Sequence, residues 1–373
     1  QDFLSLNKPT SEIMKVIISA GGTMGHINPA LAIIDELKRH DKNLSVIYIG
    51  THNRMEKDII PKLGIKYIGL EIYGFSKKNI IRDFKNIFLI KKSIKECINI
   101  MNEFKPDIVI GVGGYVTYPV IKAAKTLHIP SFIHEQNSIP GKSNIMLSKY
   151  ADCIGVSFKN SEAYFTKAKK VVYTGNPCGE LAKKQETKDL SEFGFKKSDK
   201  VIIIVAGSLG SESFNNKFKA YLSMIGNESY KVLYIAGKNY YEEFMKDNNF
   251  SKNVKVIPYY DNLSSILGSA YLIISRAGAS TLSEIVALKK PSILIPSPYV
   301  ANNHQYYNAL DLANLGVAEL IEEKNLNANM IQVAINELVY NKDKYNEMIK
   351  NLDKMNEKSS SNIIYDTIKE LIK

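Results

Sequence analysis

The sequence predicts an α/β protein built from two doubly wound, parallel-sheet domains that face a cleft. Three observations carry this. Short, continuously apolar runs of strand length alternate with longer helical patterns, as expected for parallel strands covered by helices on both faces. The pattern stops in a polar, lysine-rich stretch and then restarts. Each half opens in the same way: Val16–Gly25 reads VIISAGGTMG and Ile202–Gly210 reads IIIVAGSLG, a buried strand, a glycine-rich turn with a hydroxyl, then a helix. That is the first βα unit of a doubly wound sheet, and it occurs twice.

In chain order, Lys15–Ala20 reads as a strand, Asn28–Arg39 as a helix and Leu44–Ile49 as a strand. Asp107–Val112 is a strand followed by a helix over Thr117–Leu127, and Ser131–His134 and Cys153–Phe158 continue the sheet. In the second half Lys200–Val205 is a buried strand and Ser213–Leu222 a helix. Lys231–Ala236, Val254–Ile257, Tyr271–Ser275 and Ser292–Ile295 are further strands, and Ser361–Ile372 is a final helix. The linker is placed near 177–199, which gives domains of 14–176 and 177–360. Two such lobes create a crevice at the carboxyl ends of their strands, where open α/β sheets bind ligands.

Composition agrees with two cores. The chain has 373 residues, 45% of them hydrophobic, more than one ordinary core holds. No window of about 18 to 20 apolar residues predicts a spanning helix, and residues 1–13 lack the positive-then-apolar order of a secretory signal. Cys97, Cys153 and Cys178 are far apart and odd in number, which predicts reduced thiols and no zinc site. The net charge of +11 favours anionic partners. Nucleic acid is not expected among them, because no recognition motif is present and the chain has no Trp.

The chemistry sits at the turns. In Gly21–Gly22–Thr23–Met24–Gly25–His26 the glycines let the backbone approach a ligand, and the helix behind offers free N–H groups and partial positive charge. The spacing is neither that of a dinucleotide fingerprint nor that of a P-loop. His26 lies where a ligand's reacting end would be. Gly111–Val112–Gly113–Gly114–Tyr115 is a second glycine turn. His134–Glu135–Gln136–Asn137 ends the next strand, and four polar residues there are costly to bury unless they pair or bind something. In the second half Ser208 can donate to a phosphate oxygen. Ser275–Arg276–Ala277–Gly278–Ala279–Ser280–Thr281 is another strand-to-helix turn, and Glu284 behind it suits two ribose hydroxyls. Gln305 and Asn308 are three apart on one helix face and can address the same sugar hydroxyls. No Asp-x-Asp occurs, so no metal or other cofactor is expected and helix termini are expected to stabilise a leaving diphosphate.

Taken in order, GGTMGHINPALA (21–32), GVGGYVTYP (111–119), IPSFIHEQNSIPGKSN (129–144), YTGNP (173–177), GSLG (207–210), SRAGASTLSE (275–284) and HQYYNA (304–309) resemble the MurG family, the N-acetylglucosaminyltransferases that make lipid II in peptidoglycan synthesis. The resemblance implies a GT-B fold of two Rossmann-like domains and an inverting transfer from UDP-GlcNAc to the C4 hydroxyl of MurNAc in lipid I. It places the donor site mainly in the C-terminal domain: Ser208 at the diphosphate, the Tyr260 backbone at the uracil edge, Arg276, Ala279, Ser280 and Thr281 around the diphosphate, Glu284 at the ribose, and Gln305 and Asn308 at the sugar. In the N-terminal domain it implies His26, the candidate base, and Asn137 as catalytic residues at the acceptor and sugar side of the cleft, Thr23, Gly25 and Asn137 as donor-binding, and Gly113, Gly114 and Tyr115 on the acceptor side. It also implies that helix 361–373 returns to the N-terminal domain, and that closure hinges near 177. Three positions depart from the family: Met24 stands where Gly is usual, His304 where another amide is common, and Gly179 where Arg usually follows Asn-Pro-x.

Residues 72–95 carry seven Lys or Arg and one acid, Asp83. Ile80, Phe84, Ile87 and Phe88 fall on one helical face, flanked by Lys77, Lys78 and Arg82. A basic amphipathic helix reads as an interfacial anchor on anionic lipid. By resemblance, this is where the family docks on the cytoplasmic face of the cell membrane as a peripheral protein.

Overall fold

The computed structural model describes residues 13–75, 80–207, 210–246, 248–355 and 359–373, with the side chains of residues 80–82 outside the description. The N-terminal lobe contains β1 (Lys15–Ala20), α1 (Met24–His40), β2 (Ser45–Thr51), α2 (Glu56–Lys62), β3 (Lys66–Leu70), α3 (Ile80–Phe104), β4 (Ile108–Gly113), α4 (Thr117–Thr126), β5 (Ser131–Glu135), α5 (Lys142–Leu147), β6 (Cys153–Val156) and β7 (Val171–Tyr173). A connecting helix α6 (Cys178–Lys184) leads to the C-terminal lobe. There β8 (Lys200–Val205), α7 (Glu212–Met224), β9 (Tyr230–Ile235), α8 (Tyr241–Met245), β10 (Val254–Ile257), α9 (Leu263–Leu267) and β11 (Leu272–Ser275) are followed by α10 (Ala279–Ala287), β12 (Ser292–Leu294), α11 (His304–Asn314), β13 (Ala318–Leu320), α12 (Ala328–Val339), α13 (Lys342–Met355) and α14 (Ser360–Ile372).

Both sheets are parallel, with strand orders β3-β2-β1-β4-β5-β6-β7 and β10-β9-β8-β11-β12-β13. The order reverses beside the first strand of each lobe, between β1 and β4 and between β8 and β11. Loops leaving those neighbouring strands diverge to opposite faces and open a crevice. Val16, Ile17 and Ile18 in β1, and Ile202, Ile203 and Ile204 in β8, are sealed from water. Their alternate side chains feed cores on both faces of the first sheet, and a further core fills the second lobe. Each such side chain contributes roughly 1.5–3 kcal/mol by leaving water.

The strands over 200–205 and 254–257 coincide with the sequence reading. The first helix begins at Met24 rather than Asn28, because Gly25 and Pro29 weaken the local helix signal in its first two turns. Part of the stretch read as linker is the helix α6, which packs between α1 and α10. The last helix, α14, lies on α1 of the first lobe: the rings of His40 and Tyr365 stack with centroids 3.6 Å apart, and Lys170 reaches Glu370 at 2.8 Å.

Candidate active site

The crevice between the lobes is bounded by the two switch points. In the first lobe the loops after β1 and β4 lock together, Gly21 N–H donating to the Gly113 carbonyl at 3.2 Å. Gly113 and Gly114 have φ of 125° and 91°, a region that L side chains avoid. A Cβ on Gly113 would lie 2.5 Å from the His26 ring, and one on Gly114 2.6 Å from the Gly21 oxygen. Glycine here is therefore required twice, by conformation and by space. The buried Glu56, which sequence reasoning passed over, holds this loop from behind. Its carboxylate accepts from Thr51 N–H at 3.0 Å, Thr51 Oγ1 at 2.6 Å and Gly22 N–H at 3.2 Å. A glutamate at the first position of a short helix carried no local sign of that role.

His26 lies in the first turn of α1. Its Nδ1 is 3.0 Å from the Gly21 carbonyl oxygen. A carbonyl only accepts, so Nδ1 carries the proton and the neutral ring keeps its lone pair on Nε2. Thr23 and Gly25 are exposed at the start of the same helix. Tyr115 is half-buried beside Gly74. Burial raises its hydroxyl pKa and the Arg54 guanidinium opposes the rise.

At the end of β5 the polar run divides. His134, Glu135 and Gln136 are buried, and their groups pair within the protein apart from Gln136 Oε1. His134 Nε2 meets the Gly175 carbonyl at 3.0 Å and Gln136 Nε2 meets His134 Nδ1 at 3.0 Å. Burial takes the His134 imidazole down to about 4, against a smaller rise from the Gly175 carbonyl. Glu135 accepts from Asn137 N–H, Gly141 N–H and Asn144 Nδ2. Asn137 alone of the four reaches the crevice, half-exposed.

In the second lobe Ser208 lies outside the described residues. A cavity of about 500 Å³ opens at this switch point, with Gly210, Ser211, Tyr240, Arg276, Ser297 and Gln305 in its wall. The Ala279–Thr281 turn forms the N-terminus of α10, whose first amides have no partner within the helix. Glu284, half-buried on α10, has its carboxyl pushed up to about 7 by burial, with a Ser264 hydrogen bond opposing. The Tyr260 hydroxyl donates to Glu192 at 2.7 Å. Gln305 accepts through Oε1 from Ala277 N–H at 3.2 Å and Ser297 N–H at 2.9 Å. Its Nε2 is left to donate toward the crevice.

Two expected ligand contacts are engaged otherwise. The Arg276 guanidinium pairs with the buried Glu323 at 2.6 Å, donates to Ser211 Oγ at 2.9 Å, and lies 4.9 Å above the Phe214 ring. Its Nη1 is taken up by Glu323 with the Ile295 and Pro296 carbonyls, while the guanidinium still lines the cavity of this switch point. Asn308 is 0% exposed. Its amide donates to Asn137 Oδ1 at 3.1 Å and Ala277 O at 3.2 Å and accepts from Ser138 N–H at 2.8 Å, so in this structure it joins the lobes. At Gly179, where an arginine was expected from the family pattern, a Cβ would meet the Ser283 carbonyl at 2.7 Å. The close approach of α6 to α10 excludes any side chain there.

On the outer surface of the first lobe α3 is anchored by the buried Asn86, which bonds both N–H and C=O of Tyr73. Leu89, Ser93, Cys97 and Met101 face inward. Phe84 and Phe88 are 71% and 69% exposed, with Ile87 and Phe75 also exposed, and Lys85, Lys91, Lys92 and Lys95 surround them in water. The two bare phenylalanines form an exposed apolar patch on one face of the helix. Lys77 and Lys78 lie outside the described residues, as do the side chains of Ile80 and Arg82. No described helix is long and apolar enough to cross a membrane.

Comparison with known proteins agrees with this fold. Residues 16–156 match the glycosyltransferase family 28 N-terminal domain and residues 201–364 its C-terminal domain. The chain is 40% identical, over 96% of its length and 100% of the relative, to a Halalkalibacterium halodurans protein named UDP-N-acetylglucosamine–N-acetylmuramyl-(pentapeptide) pyrophosphoryl-undecaprenol N-acetylglucosamine transferase. A Bacillus cytotoxicus protein of the same name is 38% identical with the same coverage. The crystal structure of MurG from Acinetobacter baumannii superposes with a TM-score of 0.78 at 26% identity, covering 96% of this chain and 99% of that one. Staphylococcus aureus MnaA with UDP, at 17% identity and a TM-score of 0.67 over 96% of each chain, shares the fold. With both domain families matched in order and close relatives aligned from end to end, the chain belongs to the MurG family of N-acetylglucosaminyltransferases within glycosyltransferase family 28.

Proposed function

We propose that this enzyme transfers N-acetylglucosamine from UDP-GlcNAc to the C4 hydroxyl of the muramoyl sugar of lipid I, with inversion and without a metal, at the cytoplasmic surface of the membrane. The observation that carries the reading is the end-to-end kinship with transferases that bear that activity in their names. The geometry supports the following roles. The acceptor hydroxyl attacks the anomeric carbon on the side opposite UDP, and its proton passes to the Nε2 lone pair of His26. The bond from the anomeric carbon to the diphosphate oxygen breaks, and the charge left on UDP is met by the free amides at the start of α10. Glu284 holds the ribose hydroxyls and Gln305 Nε2 a sugar hydroxyl. The exposed Phe84–Phe88 surface with its lysines supports docking on anionic lipid, which would bring the lipid-borne acceptor to the Gly113–Gly114 side of the crevice.

Transfer of radiolabelled GlcNAc from UDP-GlcNAc to a lipid I analogue, in the presence of excess chelator, tests the reading. A β-1,4-linked product is expected. Activity lost on chelation would remove the metal-free part. Epimerisation of the donor, or transfer to a different lipid acceptor such as a diacylglycerol, would replace the proposed reaction.

A further inference from the structure

We infer that Asp311 is a positioning residue that latches the two lobes so that the reacting groups meet. This rests on the transferase reading above. Asp311 lies on α11, one turn after Asn308 and two after Gln305, on the lobe assigned to the donor. Its carboxylate receives two donors from the other lobe: the Ser138 hydroxyl at Oδ2, and Asn160 Nδ2 at Oδ1, 2.7 Å away. Ser138 N–H in turn donates to Asn308 Oδ1 at 2.8 Å, and Asn308 Nδ2 donates to Asn137 Oδ1 at 3.1 Å. One face of one helix thus makes four hydrogen bonds across the crevice.

The chemistry suits a latch. A carboxylate accepts only, has lone pairs for two donors at once, and forms stronger hydrogen bonds than a neutral acceptor. On the first lobe's side Asn137, next to Ser138, is held by Glu135, which also accepts from Gly141 and Asn144. By contrast, Lys184 reaches Asp35 across the lobes at 3.3 Å with both side chains in water, and exposed pairs contribute little. Gln305 shares α11 with the latch, so closing it sets the distance between the sugar-binding amide and the His26 loop. A displacement of about 1 Å at such a place costs up to roughly a hundredfold in rate.

The experiment compares wild type with Asp311→Ala, Asp311→Asn, Ser138→Ala and the Ser138→Ala/Asp311→Ala double variant, each normalised to its folded fraction from thermal melting. Asp311→Ala should lower kcat about tenfold while the calorimetric Kd for UDP-GlcNAc stays within about twofold. Asp311→Asn, which still accepts from Ser138, should recover most of the loss. The double variant should be no worse than Asp311→Ala alone, because both remove the same contact. Small-angle scattering with UDP-GlcNAc bound should show a larger radius of gyration for Asp311→Ala than for wild type. An unchanged kcat, a loss explained by the unfolded fraction, additive single effects or unchanged scattering would each overturn the latch. If wild type itself transfers no GlcNAc, the reaction assignment fails, while the scattering comparison still tests the latch.

Discussion

His26 donates through Nδ1 to the carbonyl oxygen of Gly21, 3.0 Å away, and this one bond decides which ring nitrogen can take a proton. Nε2 keeps its lone pair, beside Gly113. Replacing His26 with Ala is therefore expected to lower kcat by about 10²- to 10⁴-fold, the usual range for a general base, with little change in UDP-GlcNAc affinity. Single-turnover transfer together with calorimetric binding checks it, and near-normal turnover would end the base assignment. Gly113→Ala should also depress turnover, since its Cβ would displace the ring.

Glu284 sets a second expectation, in pH. Its carboxyl is raised from an ordinary 4.5 to about 7, mainly by burial. The carboxyl therefore adds stability to the free enzyme that is fully present below about 4.5 and lost as pH rises through 7. Ribose hydroxyls donate to the ionised form, so binding should release a proton. Affinity for UDP-GlcNAc should rise about tenfold from pH 6 to pH 8, and Glu284→Gln should bind more weakly with a flat profile. Calorimetry in buffers of different ionisation enthalpy measures the proton directly, and an absent release would refute the ribose assignment.

His134 gives the opposite sign. Its buried imidazole is depressed from 6.5 to about 4. The stability it contributes is complete above 6.5 and disappears as pH falls through 4, on the order of 3 kcal/mol in all. Melting curves between pH 7 and pH 4 should show this loss in wild type and a shallower slope in His134→Gln. Parallel slopes would mean that the imidazole is not desolvated.

The exposed phenylalanines predict a surface effect separable from catalysis. Phe84→Ser with Phe88→Ser should weaken binding to vesicles containing anionic lipid by at least tenfold, as the loss of roughly 1.5–3 kcal/mol per aromatic implies. Binding of UDP-GlcNAc should be unaffected. High salt should weaken wild-type vesicle binding through the lysines around the patch. Unchanged sedimentation with vesicles would exclude this face as the anchor.

The two lobes, most of their central strands and the glycine turns were legible because each is written locally. A buried parallel strand must be continuously apolar, and a turn that approaches a ligand needs glycine. Lys66–Leu70, Val171–Tyr173 and Ala318–Leu320 went unread because they are short, half-solvated edge strands whose periodicity is weak, whereas the edge strand Val254–Ile257 was read from its β-branched run. Tertiary structure alone decided what each polar side chain does with its hydrogen-bonding capacity. Arg276 and Asn308 sit in ligand-like motifs, yet Glu323 takes the guanidinium and Asn137 and Ser138 take the amide. Glu56 and Asp311, silent in the sequence, hold a loop and join two lobes. Hydrogen bonds between residues 151 to 173 positions apart leave no periodic or compositional trace, because their partners are set by how the sheets and helices pack and not by the neighbouring residues.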